Sequence, residues 1–239
     1  GAHVLHVTDG APANMRDAVQ AGFATRESYA RTRRGEAEAA LSLAGVTPAR
    51  LRCLAVPDQE TSLRLIEVTR ALLGILRETQ PDVIVTHPYE GGHPDHDATC
   101  FCVHAACRLL EQQLRTAPRI MEMTSYHNRA GIMATSEFLP SPVVPTVTLE
   151  LTDRQQAFKR RQFECFVTQS KVLRWFPVAC ERFRPAPAYK FTEPPHPGRL
   201  YYEQFDWGMT GARWRSLAGR ALDALEFESH LPACVLDRP

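Results

Sequence analysis

The residues Thr86-His87-Pro88-Tyr89-Glu90-Gly91-Gly92-His93-Pro94-Asp95-His96 bring three imidazoles and two carboxylates into one short stretch. Imidazole is the commonest side-chain ligand for zinc, and an Asp between two His can fix a ring tautomer by accepting its second N–H. The pair Gly91-Gly92 lets the backbone turn sharply and aim both rings at one place. The same composition also describes a polar loop with solvated histidines. Placement directly after an apolar strand favours the chemical reading.

Other polar and aromatic residues carry weaker signals. Cys100, Cys102 and Cys107 follow the motif on a helix, but residues two apart do not share a helix face, so packed thiols are expected rather than a cluster. His87 is equally a donor supporting the motif or a structural strand-end His, and His104 reads as helix packing. Tyr89 and Glu90 line the pocket mouth or belong to a solvated loop. Trp175, Trp207 and Trp214 are expected to anchor the C-terminal segment in the core rather than to stack on a sugar. His196 reads as a loop residue.

The elements that must hold the motif follow from periodicity. Ala2 to Val7 and Arg52 to Val56 are short apolar strands ending at Thr8-Asp9-Gly10 and Pro57-Asp58, and Asp82 to Thr86 is a third. Helices are expected from Glu27 to Ala44, ending at Gly45, from Ser62 to Thr79, and from about Ala98 to Leu114. Strands near Ile120–Ser125 and Val143–Leu151 and a helix from Asp153, its expected N-cap, to Phe166 come next. Strand alternating with helix predicts an α/β fold, a Rossmann-like three-layer sandwich with a mostly parallel sheet covered on both faces. Ligands bind beyond the carboxyl ends of such strands. Asp9, Asp58 and His87–His96 are therefore expected on one rim. The six prolines between residues 177 and 199 predict an irregular wrapping loop. A last helix is expected over Ala212–Leu225. This divides the chain into a core over 1–170 and a C-terminal wrap over 171–239.

His93-Pro94-Asp95-His96 after Val83-Ile84-Val85-Thr86 occurs together with Val7-Thr8-Asp9-Gly10, Arg34-Gly35-Glu36-Ala37, Leu43-Ala44-Gly45-Val46 and Val56-Pro57-Asp58. In this the sequence resembles the PIG-L/LmbE-like family of zinc-dependent de-N-acetylases over residues 1 to about 170. The resemblance implies that His96 is a metal ligand for zinc. It makes His93 the imidazolium that steadies an oxyanion or protonates the leaving amine, with Asp95 tuning it. Arg34 and Asp58 resemble positions that contact sugar hydroxyls, and Thr168-Gln169-Ser170 falls where relatives carry a polar pair near the active site. Family members also carry an A-H-P-D-D-E motif supplying two further ligands and the general base, and this sequence contains none. The chain opens at Gly1-Ala2-His3 without Met and already inside a strand. The expectation is a family member without its first few dozen residues, lacking a central strand and inactive as given.

Composition bounds the alternatives. With 239 residues the chain can bury a sizeable core, and 28 Lys+Arg against 27 Asp+Glu leave a net charge of +1, so no polybasic face invites nucleic acid. No apolar run is long enough for a membrane span. Seven cysteines in no regular framework point to free thiols, a reducing compartment and a cytoplasmic protein. The leading expectation is a zinc-dependent hydrolase removing an acetyl group from an N-acetylated sugar or glycoconjugate. A non-catalytic carbohydrate-binding relative is the alternative. A nucleotide-binding fold is disfavoured because no G-x-G-x-x-G follows a strand. The outer pocket wall is expected around Arg129–Pro142, with no readable code for the substrate, and the metal could be another divalent ion.

Overall fold

A computed structural model describes residues 1–229. Among the described residues there are eight strands and seven helices. The strands are β1 (Val4–Pro12), β2 (Leu51–Asp58), β3 (Val83–Thr86), β4 (Arg119–Met123), β5 (Tyr126–Arg129), β6 (Ile132–Thr135), β7 (Val147–Glu150) and β8 (Cys180–Pro185). The helices are α1 (Arg16–Gln20), α2 (Arg26–Leu43), α3 (Leu65–Thr79), α4 (Pro94–Leu114), α5 (Asp153–Glu164), α6 (Ser170–Leu173) and α7 (Gly211–Ser229). Strand and helix alternate from β1 to β4 as expected of an α/β protein, before four strands, β4 to β7, follow one another.

Local chemistry explains the main boundaries. Thr25 accepts the Ser28 N–H at 3.1 Å to start α2, which ends just before Gly45 at φ 75°. Thr152, one residue before the expected cap, starts α5 in a capping box with Gln155. In α3 the apolar residues Leu65, Val68, Leu72, Leu73 and Leu76 are all buried, giving the helix one core-facing stripe. Helix α4 begins at Pro94, four residues earlier than expected, because Pro suits the first helical position and His93 Nδ1 accepts the Asp95 N–H at 3.2 Å.

The β-structure is in three pieces that share no ladder hydrogen bonds. β1 and β2 are parallel, β3 and β4 are parallel, and β8 joins β4 to β7 by antiparallel pairing, in the order β3-β4-β8-β7. β5 and β6 form a separate hairpin. The irregular loop expected over 177–199 is corrected at Cys180–Pro185, where β8 lies between β4 and β7. The prolines at its end masked the strand.

Helices α3, α4 and α7 pack together on the face of β3 and β4 that carries Ile84 and Ile120, and Phe101, Trp214 and Tyr202 lie wholly inside this core. On the other side α2 lies against β1, with α5 against α2. The expectation that every strand is covered on both faces is corrected at β3, whose Val83 and Val85 are 40% and 49% exposed.

Six cysteines are free thiols, and Cys234 lies outside the described residues. No described helix is long and apolar enough to cross a membrane.

Candidate active site

The three strand-end loops converge. Asp9, Asp58, His87, His93, Asp95 and His96 all line one cavity of about 640 Å³, with Arg34 and Trp207 also in its wall. Each polar group is held by its element. Asp95, in the first turn of α4, accepts the backbone N–H groups of Gln59 (2.6 Å) and Thr61 (3.0 Å) and so ties α4 to the loop after β2. Burial pushes its carboxyl up to about 6, against the pull of His93. His93 Nδ1 lies 3.9 Å from Asp95, and its ring packs on Trp207 with centroids 4.9 Å apart.

His96 is fixed from the far side of the cavity. Ser125, just beyond β4, lies 2.9 Å from its Nδ1, which leaves Nε2 as the ligating nitrogen. Burial, and then the neighbouring His87 and His93, hold the His96 imidazole well below its ordinary pKa, so it is neutral at pH 7. His87 stacks on it at 4.1 Å with planes 10° apart, and burial takes His87 down to about 4. Neutral imidazole is the metal-binding form.

Two glycines bring these parts together. Gly91 has φ 70°, and a Cβ on Gly92 would sit 1.8 Å from the carbonyl oxygen of Tyr126. Only Gly lets the motif lie this close to the hairpin. Asp97, unnoticed at the sequence level, accepts the N–H groups of Glu90 (3.2 Å) and Gly91 (3.0 Å) and closes the turn from inside α4.

Other expected residues are placed differently. Glu90 is a core residue, 2% exposed, and pairs with Arg184 at 3.2 Å; it lines no pocket mouth and no solvated loop. Tyr89 is likewise buried, stacked on Trp214 and donating its hydroxyl to the Glu193 carbonyl. Both are corrected because the C-terminal segment covers them, a tertiary event that local polarity does not encode. Trp214 is a core anchor as expected, whereas Trp207 lines the cavity and Trp175 is 60% exposed. Arg34 lies at the cavity rim with its Nε 2.8 Å from Glu38. Thr168 donates twice to the buried Glu36, and Gln169 reaches the cavity beside Tyr29. Sequence reading missed Ser125 and Tyr126. Neither stands near a motif, and only the hairpin after β4 brings them to His96.

A catalytic zinc takes about three protein ligands. Asp58, His93 and Asp95 place one ligand atom each within 4.8 Å of the others. His93 Nδ1 accepts the Asp95 N–H, whereas each Asp95 oxygen accepts one backbone N–H and keeps a further lone pair. The stacked planes of His87 and His96 keep their in-plane lone pairs from converging on one ion. Among the described residues His96 is not grouped with Asp58, His93 and Asp95, so no set holding both His93 and His96 converges on one ion.

Residues 1–107 match the family model described as PIG-L, GlcNAc-PI de-N-acetylase. No curated protein matches the chain. Among solved structures it is similar to the antimicrobial reagent A40926 pseudoaglycone deacetylase, with a TM-score of 0.57 and 18% identity over 77% of this chain and 84% of that one. It is similar to the same degree, 0.57 and 18%, to a zinc-inhibited form of teicoplanin deacetylase, over 76% of this chain and 85% of that one. A deacetylase–teicoplanin complex matches at 0.56 and 17%, over 78% and 88%. At such identities these likenesses establish a shared Rossmann-like α/β fold.

Proposed function

Starting from residues 1–107 as members of the PIG-L family, we propose that this protein hydrolyses the N-acetyl amide of an amino sugar or related glycoconjugate. The observation that carries this reading is the convergence of His93, His96, Asp58 and Asp95 on one cavity beneath the strand ends. In such a hydrolysis water adds to the acyl carbon, the C–N bond breaks, and the amine leaves with a proton. His93, at the mouth of α4 beside Asp95, donates that proton. Asp58 and Arg34 take the sugar hydroxyls, and Trp207 offers an apolar wall to the ring. His96 is this chain's ligand to a divalent metal, zinc by the family's habit. The core over 1–170 would then carry the chemistry, with Val172, Leu173, Phe176 and Trp207 of the C-terminal segment shaping the cavity. The free thiols support a reducing, cytoplasmic setting.

A carbohydrate-binding protein without catalysis is the second reading, favoured by the failure of His96 to converge with Asp58, His93 and Asp95. Bound zinc and acetate release from an N-acetylglucosaminide, measured on the full-length protein, separate the two. Both are expected, and a metal-loaded protein that releases no acetate would overturn the enzyme reading. In the active form His96→Ala should lose the metal bound in the cavity and with it turnover, whereas His93→Ala should keep that metal and slow turnover by about 10²–10⁴. An unchanged metal stoichiometry in the first variant, or unchanged turnover in the second, would remove that residue from its role.

A further inference from the structure

A second group of potential ligands lies deeper in the same helix, away from the cavity. Cys100 and His104 are four residues apart on α4, so they share one helix face, and that face meets Glu122 on β4. One ligand atom from each of the three lies within 4.8 Å of the others. We propose that Cys100, His104 and Glu122 form a structural metal site for a borderline-soft divalent cation such as zinc.

The chemistry of the donors supports this. Sulfur, imidazole nitrogen and carboxylate oxygen are the three ligand types that tetrahedral zinc accepts. Closing them on an ion at bond lengths of about 2.0–2.3 Å requires atomic shifts of about 1 Å. His104 Nε2 is buried with no hydrogen-bond partner, an unusual state for an imidazole nitrogen in a protein interior. Burial holds His104 in its neutral, ligating form.

Glu122 is already oriented. Tyr189 donates to one oxygen at 2.6 Å and Arg184 to the other at 2.7 Å, which leaves lone pairs on both. Such outer partners are how proteins aim a metal-binding carboxylate. Charge also favours a cation: Glu122, Asp97 and Glu90 surround Cys100 against the single positive charge of Arg184. Without a cation, burial and the nearby carboxylates keep the Cys100 thiol protonated.

None of the three residues lines the cavity. The site is therefore separate from His96, which lies one and two helical turns away along α4, or about 6 and 12 Å. Three protein ligands leave a fourth position, which water or the second Glu122 oxygen would fill; buried away from the cavity, the site would be structural rather than catalytic. It would fasten α4 to β4 directly beneath the turn that carries His96.

The test uses the full chain, stripped with a chelator and dialysed against cobalt(II), which replaces zinc and reports sulfur ligation by a charge-transfer band. The band is expected in the wild type and in His96→Ala, absent in Cys100→Ser, and diminished in His104→Gln. Far- and near-ultraviolet circular dichroism identify any variant that fails to fold. If Cys100→Ser does not fold, the wild type and His104→Gln still decide the matter. A wild type with no sulfur-to-cobalt band, a band that survives Cys100→Ser, or an undiminished band in folded His104→Gln would overturn the proposal and leave the three as packed core residues. Because His96→Ala is expected to keep this band, the outcome is independent of the deacetylase reading.

Discussion

At the residue scale, function depends on which protonation state each buried group can hold. Burial lowers His87 to about 4, holds His96 well below its ordinary value and drives Asp95 up to about 6, so between about pH 4 and 6 the cavity is lined by groups whose charge differs from that of the same side chains in water. His6, on β1, shows the same physics away from the motif. Burial first, and then the positive charges of Arg33 and Arg34, lower its pKa below the ordinary 6.5. Below pH 6.5 the unfolded chain therefore binds a proton that the folded protein refuses, and stability falls as pH falls. Replacing His6 by Gln removes this linkage. Urea unfolding at pH 7.5 and 5 should show the wild type losing more stability on acidification than His6→Gln, and an equal loss would refute the assignment.

At the element scale, the motif works because three backbones meet. α4 starts at Pro94, the β2 loop donates to Asp95, and the β5–β6 hairpin passes over Gly92. Gly92→Ala places a methyl carbon against a backbone oxygen that cannot move without shifting β5. The expected cost is about 1–3 kcal/mol in urea unfolding, with a matching loss of substrate binding as Tyr126 is displaced from His96. A variant with unchanged stability would show that the hairpin has room to give.

At the scale of the whole molecule, the C-terminal segment is part of the site rather than an accessory. Trp207 walls the cavity, and the wholly buried Trp214 donates its indole N–H to the carbonyl of Pro94 at 3.2 Å. α7 thus holds the first turn of α4 in place from more than a hundred residues away in sequence. Trp214→Ala should cost about 3–5 kcal/mol. Hydrogen exchange should accelerate at the start of α4 as well as in α7. Acceleration confined to α7 would mean that the indole contributes packing alone.

The sequence by itself determined the α/β class, the extents of α2 and α3, and the motif His93-Pro94-Asp95-His96. Each of these is written in local periodicity, capping or adjacent residues. Only the tertiary structure decided that Glu90 is a core ion pair rather than a pocket residue, because its partner Arg184 lies on β8, a strand hidden among prolines. It likewise decided that Ser125 orients His96 and that His104 shares a face with Cys100 opposite Glu122. Such pairings cost nothing to conceal in a sequence, since burial and charge pairing depend on distance in space and leave no periodic trace along the chain.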